Sequence, residues 1–298
     1  MQGSNLSSLS FSNTKSFAVN ANGIGSTGAV TLKSTGDISL NGALTTTAST
    51  GHISLIADTE KDGAGVVIVS SNITTSGGNL SFGDGSTINF GGVTTQVGGD
   101  VYVQGSSMVT WSTGGGRITI AGGTATTNGY PTGPTMGGTN NNYGICIYNY
   151  VRLYSGGGDQ YLYGKSPSGA YFGWRSGGDF IADSGQGQIT VRGDNTGSEW
   201  ASTIGEDNIG DTVFLSEKTS GTAIDISAYA PNYAALSINR NGTTANVYTV
   251  ANGGGAINIT GSGSTSYVGL ALDRIQVLST SGKITLDGGA SWLGVGYM

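Results

Sequence analysis

Residues 36–57 read Gly36-Asp37-Ile38-Ser39-Leu40-Asn41-Gly42-Ala43-Leu44-Thr45-Thr46-Thr47-Ala48-Ser49-Thr50-Gly51-His52-Ile53-Ser54-Leu55-Ile56-Ala57. One unit is stated twice: Gly36-Asp37-Ile38-Ser39-Leu40 returns as Gly51-His52-Ile53-Ser54-Leu55. Each copy is a turn residue, a polar residue, then an apolar-polar-apolar triplet. Side chains alternate across a strand, so Ile38 and Leu40 share one face while Asp37 and Ser39 take the other. A segment this short cannot bury an apolar face alone. It needs copies of itself stacked above and below.

The copies are present along the chain. Gly28-Ala29-Val30-Thr31-Leu32 opens the series, followed by Val67-Ile68-Val69, Gly78-Asn79-Leu80-Ser81-Phe82, Thr87-Ile88-Asn89-Phe90, Gly99-Asp100-Val101-Tyr102-Val103 and Gly116-Arg117-Ile118-Thr119-Ile120. Weaker strands such as Ala43-Leu44-Thr45 and Asn72-Ile73-Thr74 lie between them, as second and third faces of a coil. Two successive gaps together span about 20 to 23 residues, a coil length inside the window for repeat architectures. The rhythm resumes at Gly178-Asp179-Phe180-Ile181 and Gly187-Gln188-Ile189-Thr190-Val191. It continues from Ala223-Ile224-Asp225-Ile226 to Gly282-Lys283-Ile284-Thr285-Leu286.

Composition excludes several classes. Of 298 residues 55 are Gly, but only 4 are Pro and 10% are charged, while Ile, Val and Thr alternate with polar residues. That argues against a disordered Gly-rich tract, which ordinarily carries high charge and few β-branched residues. There is no Gly-X-Y period, so collagen is out. No apolar run approaches the ~20 residues of a membrane helix, so no membrane insertion is expected. No stretch shows convincing amphipathic spacing at 3.6 residues. Net charge is −6, and the arginines at 117, 152, 175, 192, 240 and 274 are scattered, so no nucleic-acid partner is expected. Cys146 is the only cysteine, which rules out an intrachain disulfide and a zinc-type Cys cluster. No cofactor and no metal are implied. The N-terminus, Met1-Gln2-Gly3-Ser4-Asn5-Leu6, lacks a basic region followed by an apolar core, so it is not read as a signal peptide.

Three segments depart from the rhythm. Residues 121–142 lose it and carry Pro131 and Pro134, which cannot donate to a ladder, and are read as a loop insertion. Residues 143–175 are crowded with aromatics yet still alternate. Residues 194–220 are the most acidic and least regular part.

The tract at 36–57 resembles the repeats of filamentous-haemagglutinin-like exoproteins. So do Ser76-Gly77-Gly78-Asn79-Leu80-Ser81-Phe82, Gly253-Gly254-Gly255-Ala256-Ile257-Asn258-Ile259-Thr260-Gly261 and residues 280–289. These are large bacterial adhesins exported by two-partner secretion, and related autotransporter passengers look similar. The resemblance covers most of the chain, least clearly 121–220. It implies a right-handed parallel β-helix, extracellular or on the bacterial cell surface, as a segment of a longer exoprotein or a subunit of a fibre.

Residues that could carry chemistry are few. His52 is the only histidine and sits at an outward position of its unit, so a Ser-His-Asp triad would have to use it. Cys146 lies between Ile145 and Ile147 and faces out if those two face the core. Polygalacturonase-like β-helix hydrolases share paired Asp residues with His-Gly and Arg-Ile-Lys signatures, whereas here His52 is followed by Ile53. Pectate-lyase-like enzymes gather carboxylates around calcium. The nearest match is Glu206-Asp207 with Asp211 near Arg192, which reads first as an acidic solvated loop. The candidate surface is therefore aromatic: Tyr148, Tyr150, Tyr154, Tyr161, Tyr163, Tyr171 and Trp174. These side chains either form an exposed ladder that stacks on sugar rings or on another copy of the chain, or they fill wide coils from inside.

The expectation is a single elongated all-β solenoid over residues 1–298, a right-handed parallel β-helix of roughly a dozen coils and on the order of 60 Å long. Gly and Asn are expected at the corners, where positive φ is needed. The expected role is structural or adhesive, with homo-oligomers or filaments formed through solenoid ends or the aromatic surface and carbohydrate as a possible ligand. It is not expected to be an enzyme. The alternative is a polysaccharide-active β-helix, a lyase or tailspike-like depolymerase, with its site in 143–220.

Overall fold

The computed structural model describes residues 2–57, 59–60, 65–83, 86–90, 93–97, 100–104, 108–122, 124–125, 131–132, 145–148, 150–166, 173–177, 179–195, 201–205, 210–238, 246–263, 268–289 and 295–297. Their strands form a parallel β-solenoid of three ten-stranded sheets, here sheets A, B and C, visited in that order by each of ten coils. Coil 2 shows the pattern: Ile24–Ser26 in sheet A, Val30–Ser34 in sheet B and Ile38–Leu40 in sheet C. Within these three sheets neighbouring strands pair in parallel from one coil to the next, as Val30 with Ile53 and Leu32 with Leu55. Ten coils rather than a dozen give a rod of about 45 Å.

Stacking places like on like. In sheet B the inward column runs Leu32, Leu55, Phe82, Ile120, Leu162, Val191, Ile226 and Ile259, all fully buried. Each such side chain stabilises by about 1.5–3 kcal/mol. The parallel column starting at Val30 contains one exception, Gln160, between Ile118 and Ile189. Its Nε2 donates to the carbonyls of Leu153 (3.2 Å) and Asp183 (2.8 Å) and to Ser155 Oγ (3.2 Å), tying three segments together inside the rod.

The corner from sheet A to sheet B explains the glycine of the repeat. A Ser or Thr ending the sheet A strand donates its hydroxyl to a glycine carbonyl: Thr46 to Gly51, Thr75 to Gly78, Thr113 to Gly116, Ser155 to Gly158 and Ser184 to Gly187. A Cβ on Gly78, Gly116, Gly158 or Gly187 would lie closer than 3.0 Å to the carbonyl of the corner glycine one coil below. These glycines do not have positive φ. They are required because corners stack with no room for a methyl. Positive φ falls on their neighbours Gly77, Gly114, Gly156 and Gly185, and Asn5 is the only Asn with positive φ among the described residues. The expectation of left-handed corners thus holds for the residues preceding the repeat glycine, and close approach accounts for the repeat glycine itself.

Coil length is less uniform than the spacing predicts. Ile24 pairs with Leu44 twenty residues on, but Val109 pairs with Val151, forty-two on. The extra residues are insertions between sheets B and C. Ser86–Phe90, expected as a coil strand at Thr87–Phe90, instead pairs antiparallel with Val93–Val97 outside the three sheets. In that register Phe90 is the partner of Val93. The loop expected over 121–142 starts later, because Ala121 and Gly122 still belong to sheet B, and it holds a short antiparallel pair, Thr124–Ala125 with Pro131–Thr132. Pro131 is tolerated because this pair is an edge ribbon. Residues 194–220, expected to be irregular, contain parallel strands Ser202–Ile204 and Thr212–Ser216. In coils 6 to 9 the sheet B strands also run past the corner, as Gln160–Ser166 and Ala256–Gly263, before the chain returns at Gly173 and Gly269. Outgoing and returning limbs touch, so a Cβ on Gly164 or Gly261 would collide with the carbonyls of Gly173 or Gly269.

Candidate functional site: the outer face of sheet B in coils 5 to 8

Four adjacent sheet B strands, Ile118–Gly122, Gln160–Ser166, Ile189–Asn195 and Thr222–Ala230, stack in register. Alternation turns Ile120, Leu162, Val191 and Ile226 inward. The outward rows are Thr119, Tyr161, Thr190, Asp225 and Tyr163, Arg192, Ser227. Before them, at the corner, stand Arg117, Asp159 and Gln188. Stacking at about 4.8 Å brings these groups into contact across coils without any sequence proximity.

The Arg117 guanidinium carbon lies 5.5 Å from the Tyr161 ring centroid. The Tyr161 hydroxyl donates to Asp159 Oδ2 (3.2 Å), and Asp159 Oδ1 accepts the backbone N–H of Gln188 (2.8 Å). Tyr161 and Tyr163 rings are 6.0 Å apart. Arg192 Nε donates to Asp194 Oδ1 (3.0 Å), with the Asp194 side chain nearly buried. Tyr163 is only 1% exposed although it sits in an outward row. The insertion strand Pro131–Thr132 lies beside Gln160–Ser166, and Val93–Val97 lies beside Ile118–Gly122, so the two hairpins flank this face. Burial pushes the Tyr161 and Tyr163 hydroxyls above their ordinary range, helped at Tyr161 by the Asp159 charge and at Tyr163 by Tyr161. Burial also raises the Asp225 carboxyl, against an opposing pull from Arg192. Tyr163 and Asp194 are buried, so the groups left half-exposed include Arg117, Asp159, the Tyr161 phenol and Arg192, which can offer oriented hydrogen bonds to a hydroxyl-rich ligand. One face of the Tyr161 ring is already covered by Arg117.

The aromatic residues expected to form one surface are divided among three sheets and a corner, because 143–175 wraps more than a full circuit of the rod. Trp174 is fully buried and packs edge-on against Phe180 (6.3 Å), so its assignment to a contact surface is corrected: it is a core residue. Tyr148 ends the sheet C strand Ile145–Tyr148. Tyr150 occupies an exposed corner at φ +57°. Tyr154 lies on the outward side of sheet A. Tyr161 and Tyr163 share sheet B, but Tyr163 is buried and its assignment to a contact surface is corrected too; Tyr171 lies outside the described residues.

The other candidates resolve into structural roles. His52 is exposed, and its Nδ1 accepts the backbone N–H of Asn79 (2.9 Å), as Asn79 Oδ1 does for Arg117 (2.9 Å). It is one rung of a column of side-chain caps that climbs from coil to coil. Asp211 likewise caps Asn246 (2.8 Å), and Asp183 caps Gly185 (2.9 Å). Asp179 forms an ion pair with Arg152 at 2.6 Å. Glu206 and Asp207 lie outside the described residues. No group of three His, Cys, Asp or Glu side chains suited to a metal occurs among the described residues. Arg117, Asp159, Arg192, Asp194 and Asp225 were not singled out as a cluster from sequence. The only trace was alternation, Asp159-x-Tyr161-x-Tyr163 and Arg192-x-Asp194, and it acquires meaning only once the coils are in register. No family model, no curated protein and no solved structure matches the chain.

Proposed function

We propose that the chain is a structural β-solenoid of an exported bacterial surface or fibre protein, working through reach, stability and end-to-end stacking. One observation carries this reading. Ile284 and Leu286 stack on Ile257 and Ile259, which are fully buried, yet each is 41% exposed. They are core residues with no coil above them among the described residues. Coil 10 stands at the margin of all three sheets, and coil 1 stands at the opposite margin. Strand margins with an apolar inner column are templates for further strands. Further coils, of a longer chain or of a second copy, would cover them; head-to-tail addition of a copy preserves the parallel sense, placing Leu9 and Phe11 of one on Ile284 and Leu286 of the other. Such a contact does not close on itself and therefore builds filaments. The polar Ser, Thr and Asn outer rows of sheet B, and the likeness of the repeats to exported adhesins, support an extracellular setting. Negative-stain imaging and sedimentation velocity test the proposal. Filaments or rods of multiplied length are expected, and Ile284→Lys with Leu286→Lys should abolish them. A wild-type rod that stays a single unit in length at every concentration would sink the idea.

The Arg117–Tyr161–Asp159 lattice favours a second reading, contact with polysaccharide on sheet B. Calorimetric titration with neutral and acidic oligosaccharides would show binding that Tyr161→Ala weakens. Accumulation of unsaturated product would make the chain a lyase instead.

A further inference from the structure

The outward residues of sheet A change character along the rod. In coils 2 to 5 they are Gly25, Thr45, Thr74, Thr110 and Ser112. From coil 6 onward they are Arg152 and Tyr154, then Ile181 and Asp183, Val213 and Leu215, Tyr248 and Val250, and Gln276 and Leu278. Leu278 is 53% exposed, and Ile181, Val213, Leu215, Tyr248 and Val250 are half-buried, while the alternate residues Phe180, Phe214 and Val247 fill the core. Sheet B keeps polar residues at the corresponding outer positions of coils 7 to 10: Thr190, Asp225, Asn258 and Thr285. The repeat requires only the inward residues to be apolar, so an apolar outer row on sheet A beside a polar one on sheet B needs a separate reason.

We propose that this face of sheet A, across coils 7 to 10, packs on the same face of a second copy of the chain, with the two rods antiparallel. Charge selects the partner and the orientation. The residues at the amino ends of these strands are Asp179, Asp211, Asn246 and Arg274, in coil order, and Asp183 and Glu217 stand at the carboxyl ends of coils 7 and 8. A two-fold axis along the rod would set each coil against itself, amino end to carboxyl end, bringing Asp179 to Asp183 and Asp211 to Glu217. Both meetings are repulsive. A two-fold axis along the strands sets coil 7 against coil 10 and coil 8 against coil 9, amino end to amino end. Arg274 then faces the Asp179–Arg152 pair, Asn246 faces Asp211, and Val213 and Leu215 meet Tyr248 and Val250. In the same orientation Ile181 and Asp183 lie opposite Gln276 and Leu278, so the apolar centre is confined to coils 8 and 9 and polar groups stand at its margins, the anatomy of a small isologous contact. Four strands at 4.8 Å spacing and five residues at 3.3 Å give a flat footprint of about 300 Å² per copy. That is below the ~800 Å² of a standard partner surface, so the association is weak and reversible.

Sedimentation velocity over a wide concentration range tests this contact in the Ile284→Lys, Leu286→Lys background, which separates it from end-to-end stacking. The expected result is a concentration-dependent rise toward dimer. Leu215→Lys with Val250→Lys should abolish it while circular dichroism and the unfolding midpoint stay near those of the background. Arg274→Glu, which leaves the apolar rows intact, should raise the dissociation constant several-fold. A background protein that sediments as monomer throughout overturns the interface, as does persistent dimer in the Leu215→Lys, Val250→Lys variant. An unchanged constant in Arg274→Glu overturns the antiparallel arrangement.

Discussion

Three glycines separate the forces that shape the coil, and alanine at each gives a graded outcome. At Gly116 the backbone conformation accepts alanine, but the new Cβ would lie closer than 3.0 Å to carbonyl atoms of Gly77 and Gly78 in the coil below. The corner must lift, which strains the hydrogen bond from Thr113 Oγ1 to the Gly116 carbonyl and the bond from the Leu80 N–H to the Arg117 carbonyl (2.8 Å). Overpacking typically costs 1–3 kcal/mol and a weakened internal hydrogen bond about 1 kcal/mol, so Gly116→Ala should lose about 2–4 kcal/mol. Gly115 has open space around its Cα hydrogen position but φ +113°. Gly115→Ala is limited by backbone strain alone, about 1–2 kcal/mol. Gly25 has neither constraint, so Gly25→Ala should be neutral or stabilise by about 0.5–1 kcal/mol through the unfolded state. Denaturant unfolding gives the ranking. Stacked repeats lose structure locally, so hydrogen exchange at the amides of Leu80, Ile118 and Gln160, which donate to carbonyls of the next coil, should show faster exchange in Gly116→Ala around coils 4 to 6. If Gly116→Ala were no more destabilising than Gly25→Ala, close corner stacking would not be the reason for the repeat glycine.

Two further outcomes follow from single residues. Trp174 fills the core, and its Nε1 has no hydrogen-bond partner among the described residues, so Trp174→Ala should lose about 3–5 kcal/mol while Trp174→Phe, which removes that donor, should lose much less; equal losses in thermal unfolding would contradict this placement. Burial raises the Asp225 carboxyl above its unfolded value, so the folded chain binds that proton more tightly and gains stability that is present at low pH and lost as pH rises through the folded pKa. Asp225→Asn should therefore gain stability relative to wild type as pH increases, and a difference constant with pH in denaturant titrations would refute it.

Much of the fold was legible because its code is local and repeated. Ile38-Ser39-Leu40 and Ile53-Ser54-Leu55 each state a strand and its inward face, and Gly51 marks the corner before the second. The hairpin at Ser86–Val97 was misread because Thr87-Ile88-Asn89-Phe90 alternates like any coil strand. Alternation says which residues share a face but not which sheet the strand joins. The same limit hid the candidate site. Arg117, Tyr161 and Asp225 are far apart in sequence, and their adjacency depends on coils of unequal length keeping register. Trp174 was misplaced for a related reason: an aromatic residue in a crowded stretch has no signature of inside or outside until the phase of its strand is known.

The chain's own pattern therefore determined the class of structure, since period-two strands recurring at coil spacing can bury their apolar side chains only by stacking. Tertiary structure decided the rest. It set three faces to the coil and ten coils to the described rod, and it turned Trp174 inward and Tyr154 outward. It also showed that the outer face of sheet A turns apolar while that of sheet B stays polar. The physical reason is that strand alternation is a property of neighbouring residues, whereas a surface of a solenoid is assembled from residues some twenty to forty positions apart, one from each coil.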